Sequence, residues 1–120
     1  MPTWPFGSAF IATEEARAPE GYKQMVVEGT SADIVYSNLF TGVHGNYLKE
    51  SIRAAGLDPE NLAQSDPSRM SFGEGAKKAW KDIWGSGQGI GAVKAIVPVR
   101  ELVERLAAEY QAARERLALA

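Results

Sequence analysis

The residue types that could do chemistry gather in two glycine-containing segments. Gly85-Ser86-Gly87-Gln88-Gly89-Ile90-Gly91 places four glycines in seven residues. Glycine has no Cβ, so such a stretch lets backbone approach a flat or anionic ligand closely. Ser86 and Gln88 add hydrogen-bonding side chains, and Trp84 adds an aromatic plane. A hinge between two helices explains the same glycines, and the residues alone leave both readings open. Gly87 to Ala92 also satisfies G-x-G-x-x-G/A, but a dinucleotide site needs a strand before it, a helix after it and an acid further on. Trp80 to Trp84 reads as helix or loop and no second strand follows, so that site is not expected. The second segment, Gly7-Ser8, precedes an expected helix start, where such a turn can aim N–H groups at an anion. An ordinary turn is the simpler reading of two residues.

Other chemistry-bearing residues have plainer explanations. His44 is the single histidine; an imidazole can act as a general base, but a loop histidine with a structural hydrogen bond accounts for it. With no cysteine and one histidine, disulfides, thiol nucleophiles, thiolate metal sites and His/Cys zinc sites are excluded. Glu14-Glu15 reads as charge at a helix N-terminus. Trp80 and Trp84 are i,i+4 neighbours and suit a core or an interface.

Positioning these residues requires a mostly helical frame. Trp4, Pro5, Phe6, Ala9, Phe10 and Ile11 form an apolar run that reads as a short buried strand interrupted by Gly7-Ser8. Thr13 is then the expected N-cap of a helix carrying Glu14 and Glu15. A second helix starts at Pro19-Glu20, with Tyr22, Met25 and Val26 on one face and Gly29 as its stop. Asp33 to Phe40 is rich in β-formers and is the best strand, and Gly42 to Asn46 is a turn. Tyr47 to Ala55 reads as a helix closed by Gly56. Leu57 to Gly75 is a polar loop with Asp58-Pro59 and Asp66-Pro67 turns, long for a compact domain. Ala76 to Trp84 is a short helical stretch and Ala92 to Val97 is apolar. Pro98 opens a final helix to about Leu117, whose stripe is Leu102, Val103, Leu106, Tyr110, Ala113 and Leu117, with charge largely on the opposite face.

Composition bounds the function class. The chain has 120 residues, 45% hydrophobic and 23% charged, with a net charge of −2. That balance is globular and argues against a broad nucleic-acid footprint. No run approaches the ~18 apolar residues of a membrane span. Met1 to Pro5 lacks the basic and apolar regions of a signal peptide, so a soluble cytoplasmic protein is the expectation. A complete (β/α)8 barrel takes ~250 residues and does not fit in this length.

Three segments nevertheless resemble one barrel family. Gly7-Ser8-Ala9-Phe10-Ile11-Ala12-Thr13-Glu14-Glu15-Ala16 resembles the last-strand segment of nitronate monooxygenases, also called 2-nitropropane dioxygenases. Asp33 through Phe40-Thr41-Gly42-Val43-His44-Gly45-Asn46-Tyr47-Leu48 is similar to the family's next segment. Trp80 through Trp84-Gly85-Ser86-Gly87-Gln88-Gly89-Ile90-Gly91 resembles its closing glycine-rich motif, followed by the same terminal helix. The likeness runs in family order from Phe6 to about Leu117.

The family members are FMN-dependent (β/α)8 barrels that oxidise alkyl nitronates with O2 to carbonyl compounds and nitrite. The resemblance implies a C-terminal fragment of a TIM barrel, an α/β fold that is mostly helical as an isolated chain with one or two short strands. Its parts are a last-strand turn (6–13), a helix and strand insertion (14–56), a loop (57–75), the glycine-rich motif (84–92) and the terminal helix (98–117). Gly7 and Ser8 carry over as FMN-phosphate ligands, and Trp84, Ser86, Gln88 and Gly89 as cofactor or substrate contacts. The family's catalytic histidine has no counterpart here, since His44 lies in a different segment. The implied partners are a nitronate and O2, with a separately encoded N-terminal half or self-association, and neither nucleic acid nor membrane. The isolated chain is expected to be inactive. The competing reading is a non-enzymatic helical module acting through self-association or partner binding.

Overall fold

The computed structural model describes residues 6–62 and 81–118. Met1 to Pro5, most of the polar loop, Trp80 and the start of the helical stretch at Ala76 lie outside the described residues. Among the described residues, helices dominate and a two-stranded antiparallel sheet supplies the β structure.

The first element corrects the expected strand. Phe6–Ile11 is a helix, α1, with Gly7 and Ser8 inside it. Ser8, Ala9 and Ala12 are buried while Gly7 and Phe10 are exposed, which is helical rather than alternating periodicity. Thr13 does not cap a following helix. Its Oγ1 donates to the Phe10 carbonyl at 2.7 Å, Ala16 N–H closes a turn on Thr13, and Thr13 pairs in parallel with Val97. That pairing brings the Glu14 N–H to the Val97 carbonyl at 3.0 Å. Glu15 reaches far along the chain. Its Oε2 accepts the Val99 N–H at 2.8 Å, satisfying a first-turn donor of the last helix.

Glu20–Glu28 forms α2 as expected, its first turn closing on the Pro19 carbonyl and its end at Gly29. Val26 is fully buried and Tyr22 and Met25 pack beside it. Lys23 is buried on the same helix, its Nζ donating to the Glu14 carbonyl at 3.3 Å. A hairpin follows. β1 (Ile34–Ser37) pairs with β2 (Gly45–Leu48) in the register Ile34–Leu48 to Ser37–Gly45, and Gly42 takes a left-handed φ of 78° in the connection. Tyr47 and Leu48 therefore belong to a strand and not to the helix expected from 47 to 55. The helix α3 covers Lys49–Ala54 and stops where Gly56 adopts φ 87°, a conformation that only glycine takes freely.

The last helix, α4, spans Val99–Ala118. Its Leu102 enters a core with Ala9, Ala12, Val26, Leu48, Ile90 and Val93. That core draws on segments far apart in the chain, so α1, α2, β2, the glycine-rich segment and α4 hold one another. Among the described residues no helix is long and apolar enough to cross a membrane.

Candidate functional site

The glycine-rich segment is packed, and this decides against a free hinge. Gln88–Ala92 forms a 3₁₀ turn whose Ile90 is fully buried. Upstream, Trp84 to Ser86 lies along the free edge of β2. Leu48 N–H donates to the Trp84 carbonyl at 2.8 Å, Ser86 N–H donates to the Asn46 carbonyl at 3.2 Å, and Tyr47 bridges Gly85. The segment is thus tied by backbone hydrogen bonds on one side and by an apolar anchor on the other. It is not the helix of a dinucleotide-binding motif.

The two segments singled out in the sequence meet here. Ser8 Oγ accepts the Gly87 N–H at 2.7 Å, and a Cβ on Gly87 would lie 3.2 Å from that oxygen. Glycine is what lets the loop approach α1 this closely. Because Ser8 Oγ is used as an acceptor, its O–H remains a donor. Ser86, next in the chain to Gly87, is buried, and its Oγ has no hydrogen-bond partner among the described residues. Buried hydroxyls are usually satisfied, so this one stands out as an exception among the described residues. Gly7 is exposed with open space where a Cβ would go.

The remaining expected contacts separate from this pair. Trp84 is committed to the protein: its ring stacks on Tyr22 with centroids 5.0 Å apart and planes 2° from parallel. Its Nε1 donates to the Lys81 carbonyl at 3.0 Å and its backbone N–H to Ser51 Oγ at 3.0 Å. Gln88 is exposed at the start of the 3₁₀ turn, and Gly89 is half-buried within it. His44 stacks on Tyr36 at 4.6 Å on the exposed face of the hairpin.

Two residues that build the site carry no motif. Tyr22 donates its hydroxyl to the Gly85 carbonyl, and burial pushes that phenol above its ordinary range. Ser51 accepts from Trp84 while donating to the Leu48 carbonyl at 2.8 Å. Tyr22 is legible in the sequence as a core position of α2, but the polar use of its hydroxyl depends on a partner far along the chain. Among the described residues no cluster of three or more His, Cys, Asp or Glu forms a metal site.

Comparison with known proteins bears on the fold. No protein-family model and no curated protein matches the sequence. The structure is similar to that of a FabK mutant from Thermotoga maritima, with a TM-score of 0.59 and 19% identity, over 92% of this chain and 34% of that one. The chain therefore spans about a third of FabK's length. At that identity the likeness speaks to architecture: this mostly helical α/β chain fits part of a TIM barrel.

Proposed function

We propose that this chain is the cofactor-phosphate and closing portion of a flavin-dependent TIM-barrel oxidoreductase. The observation that carries the reading is the junction of Ser8, Ser86 and Gly87. It joins two segments far apart in sequence, leaves two hydroxyl donors beside a glycine backbone, and leaves one of those hydroxyls buried without a partner among the described residues. Phosphate-binding turns are built chiefly from backbone N–H groups; here those of Ser86 and Gly87 are bound to Asn46 and Ser8, so the hydroxyls would carry the contact, at a place that matches barrel phosphate sites in the loops after the last strands. The likeness to FabK supports the coarser part of the reading, an oxidoreductase on a barrel. Oxidation of alkyl nitronates with O2, and FMN as the flavin, rest on the resemblance of Gly7 to Ala16 and Trp80 to Gly91 to nitronate monooxygenases.

The residues present fit FMN through its phosphate. Ser8 would donate its hydroxyl to a phosphate oxygen, with Gly7 leaving room for close approach, and the buried Ser86 hydroxyl would join it only if the glycine-rich loop shifts to uncover it. Bound flavin would supply the redox chemistry. Trp84 would act indirectly: held by Tyr22, Ser51 and Lys81, it fixes the start of the glycine-rich loop. Gln88 and Gly89 remain contacts on the open side of that loop. His44, on the hairpin face, is not assigned the role of base.

The test is binding of FMN against riboflavin, which lacks the phosphate. The purified chain is expected to carry no flavin, because most of a barrel's cofactor shell lies outside it. Added FMN at millimolar concentration should shift its ³¹P resonance, riboflavin should not compete, and Ser8→Ala should abolish the shift. Equal binding of FMN and riboflavin, or indifference to that substitution, overturns the reading. The alternative of a helical module acting through association is favoured by one separate observation, the uncovered outer face of α4.

A further inference from the structure

The apolar stripe of α4 outruns the body that it packs on. Leu102 is 2% exposed, whereas Val103 is 49%, Tyr110 64% and Leu117 77% exposed. Leu106 is partly buried against the core and Ala113 is half-covered. Val103, Leu106, Tyr110, Ala113 and Leu117 follow one another at intervals of three, four, three and four. That is the seam of a coiled-coil helix, with Val103, Tyr110 and Leu117 at one core position and Leu106 and Ala113 at the other.

We propose that the outer half of α4 pairs antiparallel with the α4 of a second copy of this chain. Two features point to a copy of itself in that orientation. In an antiparallel pair the two core positions face each other, so Tyr110 of each copy would lie opposite Ala113 of the other, and Leu106 opposite Leu117. Large meets small in the two central layers, which is how well-packed seams interdigitate. A parallel pair would instead stack Tyr110 on Tyr110 and leave Ala113 facing Ala113. The flanking charges agree. Glu109 and Arg116 border the seam on the same edge, and two-fold symmetry sets each against the other twice. Glu109 is engaged within its own helix by Arg105 only at a loose 3.8 Å, with both side chains about half exposed, so Glu109 is open to a better partner. The seam is short, about two heptads, but α4 is already formed by its anchoring through Leu102. Association would not have to nucleate the helix, and the preformed partner binds at lower entropic cost. The antiparallel arrangement also keeps the two bodies at opposite ends of the pair. This inference stands apart from the flavin reading.

Sedimentation equilibrium of the full chain tests it, with circular dichroism confirming unchanged helicity in each variant. The wild type should form a concentration-dependent dimer. Glu109→Arg and Arg116→Glu should each weaken it by about tenfold or more, since each sets like charges together. The double variant, and an equimolar mixture of the two single variants, should restore it. Leu117→Lys should give a monomer. A wild type that stays monomeric assigns the face to a different polypeptide and overturns the proposal. So does a dimer indifferent to both reversals, or one weakened by Glu109→Arg alone, which would mark a parallel pair joined through Arg114.

Discussion

The Ser8 hydroxyl accepts the Gly87 N–H at 2.7 Å, so one hydrogen bond ties the first helix to the glycine-rich loop. Ser8→Ala leaves that amide without its acceptor. A partly buried donor stranded in this way costs about 1–3 kcal/mol. Urea unfolding should show a loss in that range, and the Gly87 amide should exchange with solvent faster than its neighbours Ile90 and Val93. Unchanged protection at Gly87 would contradict the assignment.

Glu15 and Val99 make the same kind of tie at the start of the last helix. The carboxylate accepts the Val99 N–H at 2.8 Å and places negative charge at the N-terminus of α4, where it is favourable. Glu15→Ala should lower stability by about 0.5–2 kcal/mol, the range for a lost N-terminal cap. Glu15→Gln keeps an oxygen acceptor and should lose less. Thermal unfolding of the three proteins, read by circular dichroism, orders them; an alanine variant as stable as the wild type would show that the contact is not formed in solution.

Tyr22 gives stability an alkaline pH dependence. Burial raises its phenol above the ordinary value of 10.0, so the folded chain holds this proton more tightly than the unfolded chain does. As pH rises through 10.0 the unfolded phenol ionises first, the unfolded state binds fewer protons, and stability falls. The contribution is fully present below pH 10.0 and is lost as pH climbs through the raised folded value. Tyr22→Phe removes that slope. It also removes the hydroxyl donated to Gly85, so it should be less stable than wild type at neutral pH. The difference between the two proteins should shrink from about pH 9 to about pH 11, across the phenol range; parallel stability curves would count against the burial of this hydroxyl.

What the sequence makes legible is local. The twenty residues of α4 and the Tyr22, Met25, Val26 face of α2 repeat with helical period, and glycines close α2 and α3, so single stretches suffice. β2 escapes a sequence reading because Tyr47 and Leu48 also fit the helical spacing to Ile52. Their strand form comes from Ile34 and Val35 on one side and Gly85 on the other, and sheet preference depends on such neighbours. Phe6–Ile11 is too short for its period to separate helix from strand. The same distinction governs the site. Ser8, Ser86 and the glycines stand out as chemistry-bearing types. That Ser8 holds Gly87, that Ile90 pins the loop and that Tyr22 occupies Trp84 all depend on contacts between distant segments.

Gly29 and Ile90 show how closely the loop is fitted, and give a prediction with a definite sign. A Cβ at Gly29 would stand 2.7 Å from Ile90 Cδ1 and 2.8 Å from the Met25 carbonyl oxygen. Neither can retreat easily. Ile90 is fully buried, and the Met25 carbonyl accepts the Gly29 N–H at 2.9 Å as the closing bond of α2. Backbone strain is not the issue, since Gly29 has φ −76°, which any residue adopts. Gly29→Ala should therefore destabilise by overpacking, about 1–3 kcal/mol, where alanine at an unencumbered position with this φ would stabilise slightly by restricting the unfolded chain. Pairing it with Ile90→Val, which removes the methyl that a new Cβ would meet, should recover part of the loss. Each single variant and the double variant measured in urea form a cycle. Additive losses would show that the two sites do not touch, and a gain in stability from Gly29→Ala would show that the 3₁₀ turn sits further from α2.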